Sequence, residues 1–306
     1  DGTLYKVLCE SKKVGVTVFV HAENGELIDR FQRDCVNKGQ IEPKYHAVSR
    51  PTFVEGEGTH RAIYLAGKAG APLYVAHVTC QDAVDEIVKA RTQNQRVMGE
   101  TCTHYLTTTK DVLSNEDFLE ASKYVCSPAL RDQCELDNLW KALNDGVLNA
   151  IVSDHCGIGL DLKKQGLQNF MLIPNGAPGA ADRIHMIWST GVATGKISKQ
   201  LFVQTIATNP AKINGLYPKK GDIVIGADAD IVIYDPEYRG VIKLEDNPNG
   251  IDFNVYEGKP MIGRVETVLL RGNVVVKDAK FVGKQGQGKF IPAKCYAAAY
   301  TGLNEM

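Results

Sequence analysis

Apolar residues in the first half of the chain form short runs that end at a histidine or an aspartate. The run Val16–Val20 leads directly into His21, the segment APLYVAHVT carries His77 near its end, and LNAIVSDH ends in Asp154 and His155. Runs of this length, rich in Val, Ile, Tyr and Phe, are typical of strands buried on both faces of a parallel sheet. We therefore predict that His21, His77 and Asp154 stand at the carboxyl ends of three such strands, where α/β proteins place their chemistry.

Segments with helical periodicity separate these strands. Because strands and helices alternate, with connections too long for hairpins, the pattern predicts parallel β-α units with right-handed crossovers. Four such units make half of a (β/α)8 barrel of the TIM type, a fold that needs about 250 residues when complete. The predicted helices cover much of residues 1–15, 55–68, 81–92, 180–193 and 199–207, with Gly15 ending the first, and a further strand covers residues 96–102.

The pattern changes after residue 212. From Lys219 onward, segments such as GDIVIGADADIVIYDP and VETVLLRGNVVVKDAKFVG alternate apolar and polar positions between turn residues, which is typical of short strands in a small β unit. Asp228 and Asp230 in GADAD are interpreted as structural turn residues. We divide the chain into half of a barrel (1–212), a small β domain (213–284) and a poorly patterned C-terminal tail (285–306).

The composition argues against a nucleic-acid-binding or membrane-spanning protein but does not identify the function. The chain has 306 residues, of which 44% are hydrophobic and 23% charged, with a formal net charge of −1. This balance is typical of a globular protein, and the net charge is not basic enough to predict binding to nucleic acid. The sequence also has no apolar run long enough to span a membrane. No signal peptide is recognised, and the eight scattered cysteines form no C-x-x-C pair. We therefore expect a cytoplasmic protein with reduced cysteines.

Two histidines and an aspartate at strand ends on one rim suit a metal site. Imidazole and carboxylate together are typical ligands of zinc in catalytic centres. We expect the metal-binding atoms of His21, His77 and Asp154 to lie within roughly 4 to 7 Å of one another on one rim. The simpler alternatives are that each histidine satisfies a backbone group and that Asp154 caps the following segment.

A series of motifs, in order along the chain, is similar to one family. The motifs are VHAENGE, YVAHVTC, GETCTHYL, YVCSPALR, SDH, IPNG followed by ADR, and GLYPKKGDIVIGADADIVIYDP. Over nearly its whole length the sequence resembles the cyclic amidohydrolases called dihydropyrimidinases and D-hydantoinases. The resemblance implies a (β/α)8 barrel with a small β-sandwich, two zinc ions bridged by a carboxylated lysine and a hydroxide, and a homotetramer.

The resemblance also implies roles for individual residues. His21 and His77 match the metal ligands at the ends of barrel strands five and six, and Asp154 matches the aspartate that ends strand eight. Ser127 in CSPALR and Asn175 in IPNG match the positions whose backbone groups hold the cyclic amide of the substrate. The family pattern also includes an H-x-H pair, the bridging lysine and a tyrosine, which these residues lack because the sequence begins just after strand four. We expect the segment by itself to be inactive and poorly stable.

The resemblance implies hydrolysis of a dihydropyrimidine or a 5-substituted hydantoin to an N-carbamoyl amino acid. Zinc lowers the pKa of water to about 7 and so supplies hydroxide at neutral pH. A carboxylate at the metal is placed to carry the proton to the leaving ring nitrogen, and we assign that role to Asp154. Two alternatives remain open, namely a non-enzymatic scaffold of the collapsin-response type and an enzyme related to allantoinase or dihydroorotase. The retained His21, His77 and Asp154 favour an enzyme.

Overall fold

The computed structural model describes residues 1–295, in which helices and strands alternate through the first two thirds of the chain. The helices are α1 (Gly2–Val14), α2 (Gly25–Asn37), α3 (Tyr45–Val48), α4 (Thr52–Ala69), α5 (Gln81–Thr92), α6 (Thr103–Thr107), α7 (Phe118–Ser122), α8 (Gln133–Asn144), α9 (Leu160–Lys163), α10 (Arg183–Ile187), α11 (Lys199–Val203) and α12 (Asn209–Ile213). The strands are β1 (Val18–Val20), β2 (Leu73–Val75), β3 (Val97–Cys102), β4 (Ala150–Val152), β5 (Ile231–Val241), β6 (Pro260–Leu270), β7 (Asn273–Lys277) and β8 (Lys280–Phe281).

The first four strands form one parallel sheet in the order β1-β2-β3-β4. Val18 pairs with Leu73, Leu73 with Val97, and Glu100 with Ala150, so each strand lies beside its neighbour in sequence. Helices occupy every connection, as the β-α pattern predicted. Within residues 1–295 β1 and β4 do not pair, so the sheet is open rather than a closed barrel.

The core fills the space between this sheet and the helices α4, α5 and α8. Its members are buried apolar residues from all these elements, including Ala66, Leu73, Val75, Ile87 and Leu139. The predicted helix over residues 81–92 is confirmed as α5, and Gly15 ends α1 in a left-handed conformation with φ 75°. Helical periodicity located α5 because this helix buries a continuous stripe of apolar residues in the core.

Helix α4 fixes the segment that follows β1. A Cβ on Gly58 would lie only 2.8 Å from the backbone of Ala22 and Glu23, so the helix approaches this segment as closely as glycine allows. The backbone N–H of Asn24 donates to the carbonyl of Val54 at 2.9 Å. The backbone immediately after His21 is therefore held against α4.

The last four strands form an antiparallel sheet in the order β5-β6-β7-β8. It contacts the first part of the chain through α10, where the backbone N–H of Val265 donates to Nε2 of His185 at 3.2 Å. The predicted strand in GDIVI is wrong for the described residues: Ile223 and Ile225 are exposed and unpaired because no strand lies beside them. Alternating apolar and polar residues do not form a strand unless a neighbouring strand is present to pair with them.

The remaining predictions concern the GADAD turn, the tail and membrane insertion. Lys220 forms salt bridges with Asp228 and Asp230 in the GADAD turn, so both carboxylates have structural partners. Residues 285–295 of the predicted tail form no helix or strand, and its residues 296–306 lie outside the described part of the chain. Through residue 295, the helices are all too short or too polar to cross a membrane.

Candidate active site

The carboxyl edge of the parallel sheet brings His21 and His77 together. His21 follows the last residue of β1, and His77 lies two residues beyond β2. Nδ1 of His21 is 3.1 Å from Nε2 of His77, and the two rings are roughly perpendicular, with centroids 4.7 Å apart. The predicted convergence is therefore present for these two histidines, at a separation shorter than the 4 to 7 Å expected.

Glu23 orients His21. Its carboxylate lies 3.0 Å from Nε2 of His21 and only 4% of its side chain is exposed. Burial raises the pKa of Glu23, but the hydrogen bond from His21 and the charge of Arg50 outweigh it, so the pKa is lowered overall and the carboxylate stays ionised. Because an ionised carboxylate accepts from Nε2–H, Nδ1 of His21 is left with its lone pair directed at His77.

His77 is held in an unusual environment. Burial lowers its pKa and the neighbouring His21 lowers it further, while the charge of Asp154 acts in the opposite direction. Its Nδ1 is buried without a hydrogen-bond partner among residues 1–295. A neutral imidazole, the form that binds metals, is therefore favoured at this position.

Both His77 and Asp154 have left-handed backbones, with φ of 40° and 44°. Each lies two residues beyond its strand, at the corresponding point of the connection after β2 and β4. Residues other than glycine rarely adopt this conformation, and it recurs at functional sites, where it costs about 1 to 3 kcal/mol. Two of the three predicted ligands therefore have this conformation, which four other non-glycine residues of the described chain also adopt.

The histidine pair fits part of a zinc site. Zinc–nitrogen bonds of about 2.05 Å in a tetrahedron place two ligand nitrogens about 3.3 Å apart, close to the 3.1 Å seen between His21 and His77. Asp154 is close enough to His77 to affect its pKa, yet no three His, Cys, Asp or Glu side chains of residues 1–295 are grouped closely enough to hold a metal ion. The pair fits two ligand positions of a zinc ion and does not complete the set.

Ser127 and Asn175 also meet, although 48 residues separate them in sequence. Oγ of Ser127 donates to Oδ1 of Asn175 at 3.1 Å. The backbone N–H of Gly176 donates to the carbonyl of Val125 at 2.9 Å, which joins the two segments a second time. Gly176 has φ 136°, and a Cβ there would lie 2.5 Å from that of Cys156, so this position requires glycine.

His155 links the segment of Asp154 to the segment of Asn175. It forms a parallel bridge with Ala177, and its Nδ1 accepts from the backbone N–H groups of Gly179 and Ala180 at 3.2 and 3.3 Å. His104 is buried beside Tyr105, and burial, followed by the charge of His77, lowers its pKa to about 3. His104 is therefore a neutral side chain beside the site, and His155 holds the segment after Asp154 against residues 177–180.

A buried ion pair that the sequence analysis missed anchors the loop of His77. Thr79, two residues after His77, donates its backbone N–H to Glu55 at 2.7 Å and its hydroxyl to the other oxygen of the same carboxylate. Arg131 donates to Glu55 at 2.9 Å and to Oγ1 of Thr79 at 2.8 Å. Since Arg131 is four residues beyond Ser127, the pair ties the histidine loop to the Ser127 segment.

The sequence analysis missed Glu23, Arg131 and Glu55, although the first two had a signal in the sequence. Glu23 follows His21 by two residues in VHAENGE, which is a spacing that lets a carboxylate reach an imidazole beside it. Arg131 stands at the end of CSPALR, a motif already noted for Ser127. Glu55 gave no such signal, because its partners are 24 and 76 residues away in sequence.

Comparisons with known proteins identify the family to which the chain is similar. The sequence model of the Amidohydrolase family matches residues 1–275. The chain is 44% identical to a D-hydantoinase of Ralstonia pickettii over 297 residues, and 43% identical to a D-hydantoinase of Geobacillus stearothermophilus over 299 residues. Each alignment covers 97% of this chain, which spans 65% and 63% of the respective relatives.

A solved structure shows the same arrangement of elements. The crystal structure of dihydropyrimidinase from Brevibacillus agri NCHU1002 superimposes with a TM-score of 0.94 at 43% sequence identity, over 97% of this chain and 64% of that one. The family match extends over far more than half of the 306 residues. The chain therefore belongs to the amidohydrolase family.

Proposed function

We propose that the protein containing this chain hydrolyses a cyclic amide, either a dihydropyrimidine or a 5-substituted hydantoin, to an N-carbamoyl amino acid. The observation that carries the proposal is the convergence of His21 and His77 in a chain that is 44% identical to a D-hydantoinase. Relatives named D-hydantoinase and dihydropyrimidinase support this substrate class. The chain spans under two thirds of these relatives, so the activity is proposed for the whole protein.

His21 and His77 are proposed to hold one zinc ion, with Glu23 fixing the orientation of His21. Zinc bound there would supply a Lewis acid for the ring carbonyl and a nucleophile at neutral pH by lowering the pKa of water to about 7. A second zinc and a bridging carboxylated lysine are proposed from the family resemblance and need ligands other than these residues. Metal-binding histidines held by carboxylates are common, because the carboxylate fixes both tautomer and ring orientation.

Asp154 is proposed to move the proton. A carboxylate beside the attacking water accepts its proton and then donates it to the ring nitrogen as the C–N bond breaks. The left-handed backbone of Asp154 and its electrostatic effect on His77 support a position beside the histidine pair. Ser127 and Asn175 are proposed to hold the imide edge of the ring through their backbone groups, and their direct hydrogen bond supports a common binding surface.

We further propose the larger architecture from the same resemblance. Residues 1–212 would form the carboxyl-terminal half of a (β/α)8 barrel, and residues 213–284 would form a small β-sandwich domain. The open edges of the parallel sheet support a half that pairs with further strands. The unpaired state of all eight cysteines supports a reducing compartment such as the cytoplasm, and a homotetramer is proposed from the family.

The test is hydrolysis by the full-length protein loaded with zinc. We expect dihydrouracil or hydantoin to give the N-carbamoyl amino acid, detected by chromatography, together with stoichiometric zinc by elemental analysis. Removal of zinc with a chelator should abolish turnover, and adding it back should restore turnover. A full-length protein that takes up no zinc when zinc is supplied, and then turns over neither ring, would contradict the proposal and would favour the scaffold alternative.

A further inference from the structure

Lys163 is a buried lysine without a carboxylate partner among residues 1–295. It is the last residue of the short helix α9, and its side chain is fully buried. Its Nζ donates to three backbone carbonyls, at 2.8 Å to Gly176, 3.1 Å to Pro174 and 3.4 Å to Val125. An ammonium group has three donors, so these three acceptors satisfy it completely.

The three carbonyls belong to the two segments proposed to bind substrate. Pro174 and Gly176 flank Asn175 on both sides, and Val125 precedes Ser127 by two residues. The Val125 carbonyl also accepts from the backbone N–H of Gly176 at 2.9 Å. Lys163 therefore sets how closely the Asn175 segment approaches the Ser127 segment.

Lys163 also determines where one backbone donor points. In a trans peptide the N–H of a residue is directed opposite to the carbonyl of the residue before it. Because the Pro174 carbonyl is directed at Lys163, the backbone N–H of Asn175 points away from Lys163, and within residues 1–295 it makes no hydrogen bond. A donor of this kind is available to a carbonyl group of a cyclic amide.

We propose that Lys163 is a positioning residue that holds the Ser127 and Asn175 segments at the spacing needed to bind the imide edge of the substrate. It touches no substrate atom and acts through the three carbonyls. The inference rests on the proposed function, since it assumes that these two segments bind the ring. Burial lowers the pKa of Lys163 to about 8, which agrees with a charge held by dipoles and not by a counter-ion.

The experiment compares K163M with K164M in the full-length, zinc-loaded protein. Lys164 is the matched control because it is the next residue, is exposed, and forms a surface salt bridge with Asp161. For K163M we expect KM for dihydrouracil or hydantoin to rise at least about tenfold, with kcat within about threefold of wild type and zinc content unchanged. Loss of ground-state and transition-state binding together raises KM while leaving kcat nearly constant.

Hydrogen exchange provides a second readout that does not depend on activity. The amide of Gly176 should exchange faster in K163M, because its acceptor segment is no longer held, and it should be unchanged in K164M. An unchanged KM or unchanged exchange at Gly176 in K163M would overturn the proposal, as would a fall in kcat at constant KM.

Two further outcomes are covered by the same design. If K163M is insoluble, K163Q replaces it, and because its amide retains two donors the expected rise in KM and in Gly176 exchange is smaller, with no change in either again overturning the proposal. If wild type turns over neither ring, the proposed function has failed, and Gly176 exchange alone decides whether Lys163 joins the two segments.

Discussion

The buried pair formed by Glu55 and Arg131 gives a prediction whose size follows from its contacts. Both side chains are nearly inaccessible, at 4% and 6% exposure. Burial alone would lower the pKa of Arg131, but the charge of Glu55 outweighs it and raises the pKa overall, so the charged guanidinium is favoured. Removing one partner leaves the other side chain buried without its counter-ion.

The variants R131M and E55Q should each destabilise the protein by about 3 to 5 kcal/mol, the range for breaking a buried ion pair. At about 2 °C per kcal/mol for a chain of this size, the melting temperature should fall by about 6 to 10 °C. The double variant should cost clearly less than the sum of the two single changes, by about 2 kcal/mol or more, because it leaves no unpaired charge. In E55Q the new side-chain amide oxygen would still accept from the backbone N–H of Thr79.

The assay is thermal or chemical denaturation of the full-length protein in four forms: wild type, the two single variants and the double variant. R30M is the matched control, since Arg30 pairs with Asp34 on the exposed face of α2. Its midpoint should stay within experimental error of wild type. Additive costs in the double variant, or a shift in R30M equal to that in R131M, would show that the buried pair does not act as argued.

Three further predictions concern the histidine pair and the segment beside it. Asp154→Asn should retain part of the zinc but lower turnover of dihydrouracil or hydantoin at least about 10²-fold, measured by steady-state kinetics, and wild-type turnover would remove the proton-transfer role. Glu23→Gln should weaken zinc binding by about 10- to 100-fold in a chelator competition, because Gln cannot hold His21 as an ionised carboxylate does. His46 is buried, and its pKa is lowered, chiefly by burial and then by the charge of Arg50. Below about pH 6.5 the unfolded chain therefore binds more protons than the folded protein, so lowering the pH reduces the free energy of unfolding. Denaturation midpoints of His46→Gln should show a smaller loss between pH 7 and 5.

The sequence predicted those parts of the fold that repeat a simple pattern. Helix α5 and the strands β2 and β3 are correct because their apolar positions face one continuous core. The sequence also located β1, β2 and β4, which precede His21, His77 and Asp154, although each of these strands is only three residues long. A run of apolar residues locates a strand better than it locates its ends, because burial continues beyond the last paired residue.

The site was predicted less completely, because its supporting contacts are distant in sequence. Motif resemblance singled out Ser127 and Asn175 but not the hydrogen bond between their side chains, and the anchoring role of Lys163 had no signal at all. Two adjacent lysines, Lys163 and Lys164, indicate an exposed polar helix end. The burial of Lys163 becomes visible only in the structure, where three carbonyls from residues 11 to 38 positions away surround its Nζ.

The supporting contacts also explain how the site maintains its strained backbone. His77 and Asp154 both have φ near 40°, a conformation that persists only where surrounding contacts determine it. After His77, Val78 donates to the carbonyl of Glu100 at 2.7 Å and Thr79 is held by Glu55. After Asp154, His155 accepts two backbone N–H groups and Cys156 donates to Ala177 at 3.0 Å.

In both connections the strained residue is followed at once by residues whose hydrogen bonds are made to a different segment. Each hydrogen bond to a buried acceptor contributes about 1 kcal/mol, so two or three of them offset a left-handed backbone that costs about 1 to 3 kcal/mol. The side chains of His77 and Asp154 are therefore aimed by their neighbours in sequence. A substitution at Thr79 or His155 should then disturb the geometry of the site even though neither residue is proposed to bind the metal.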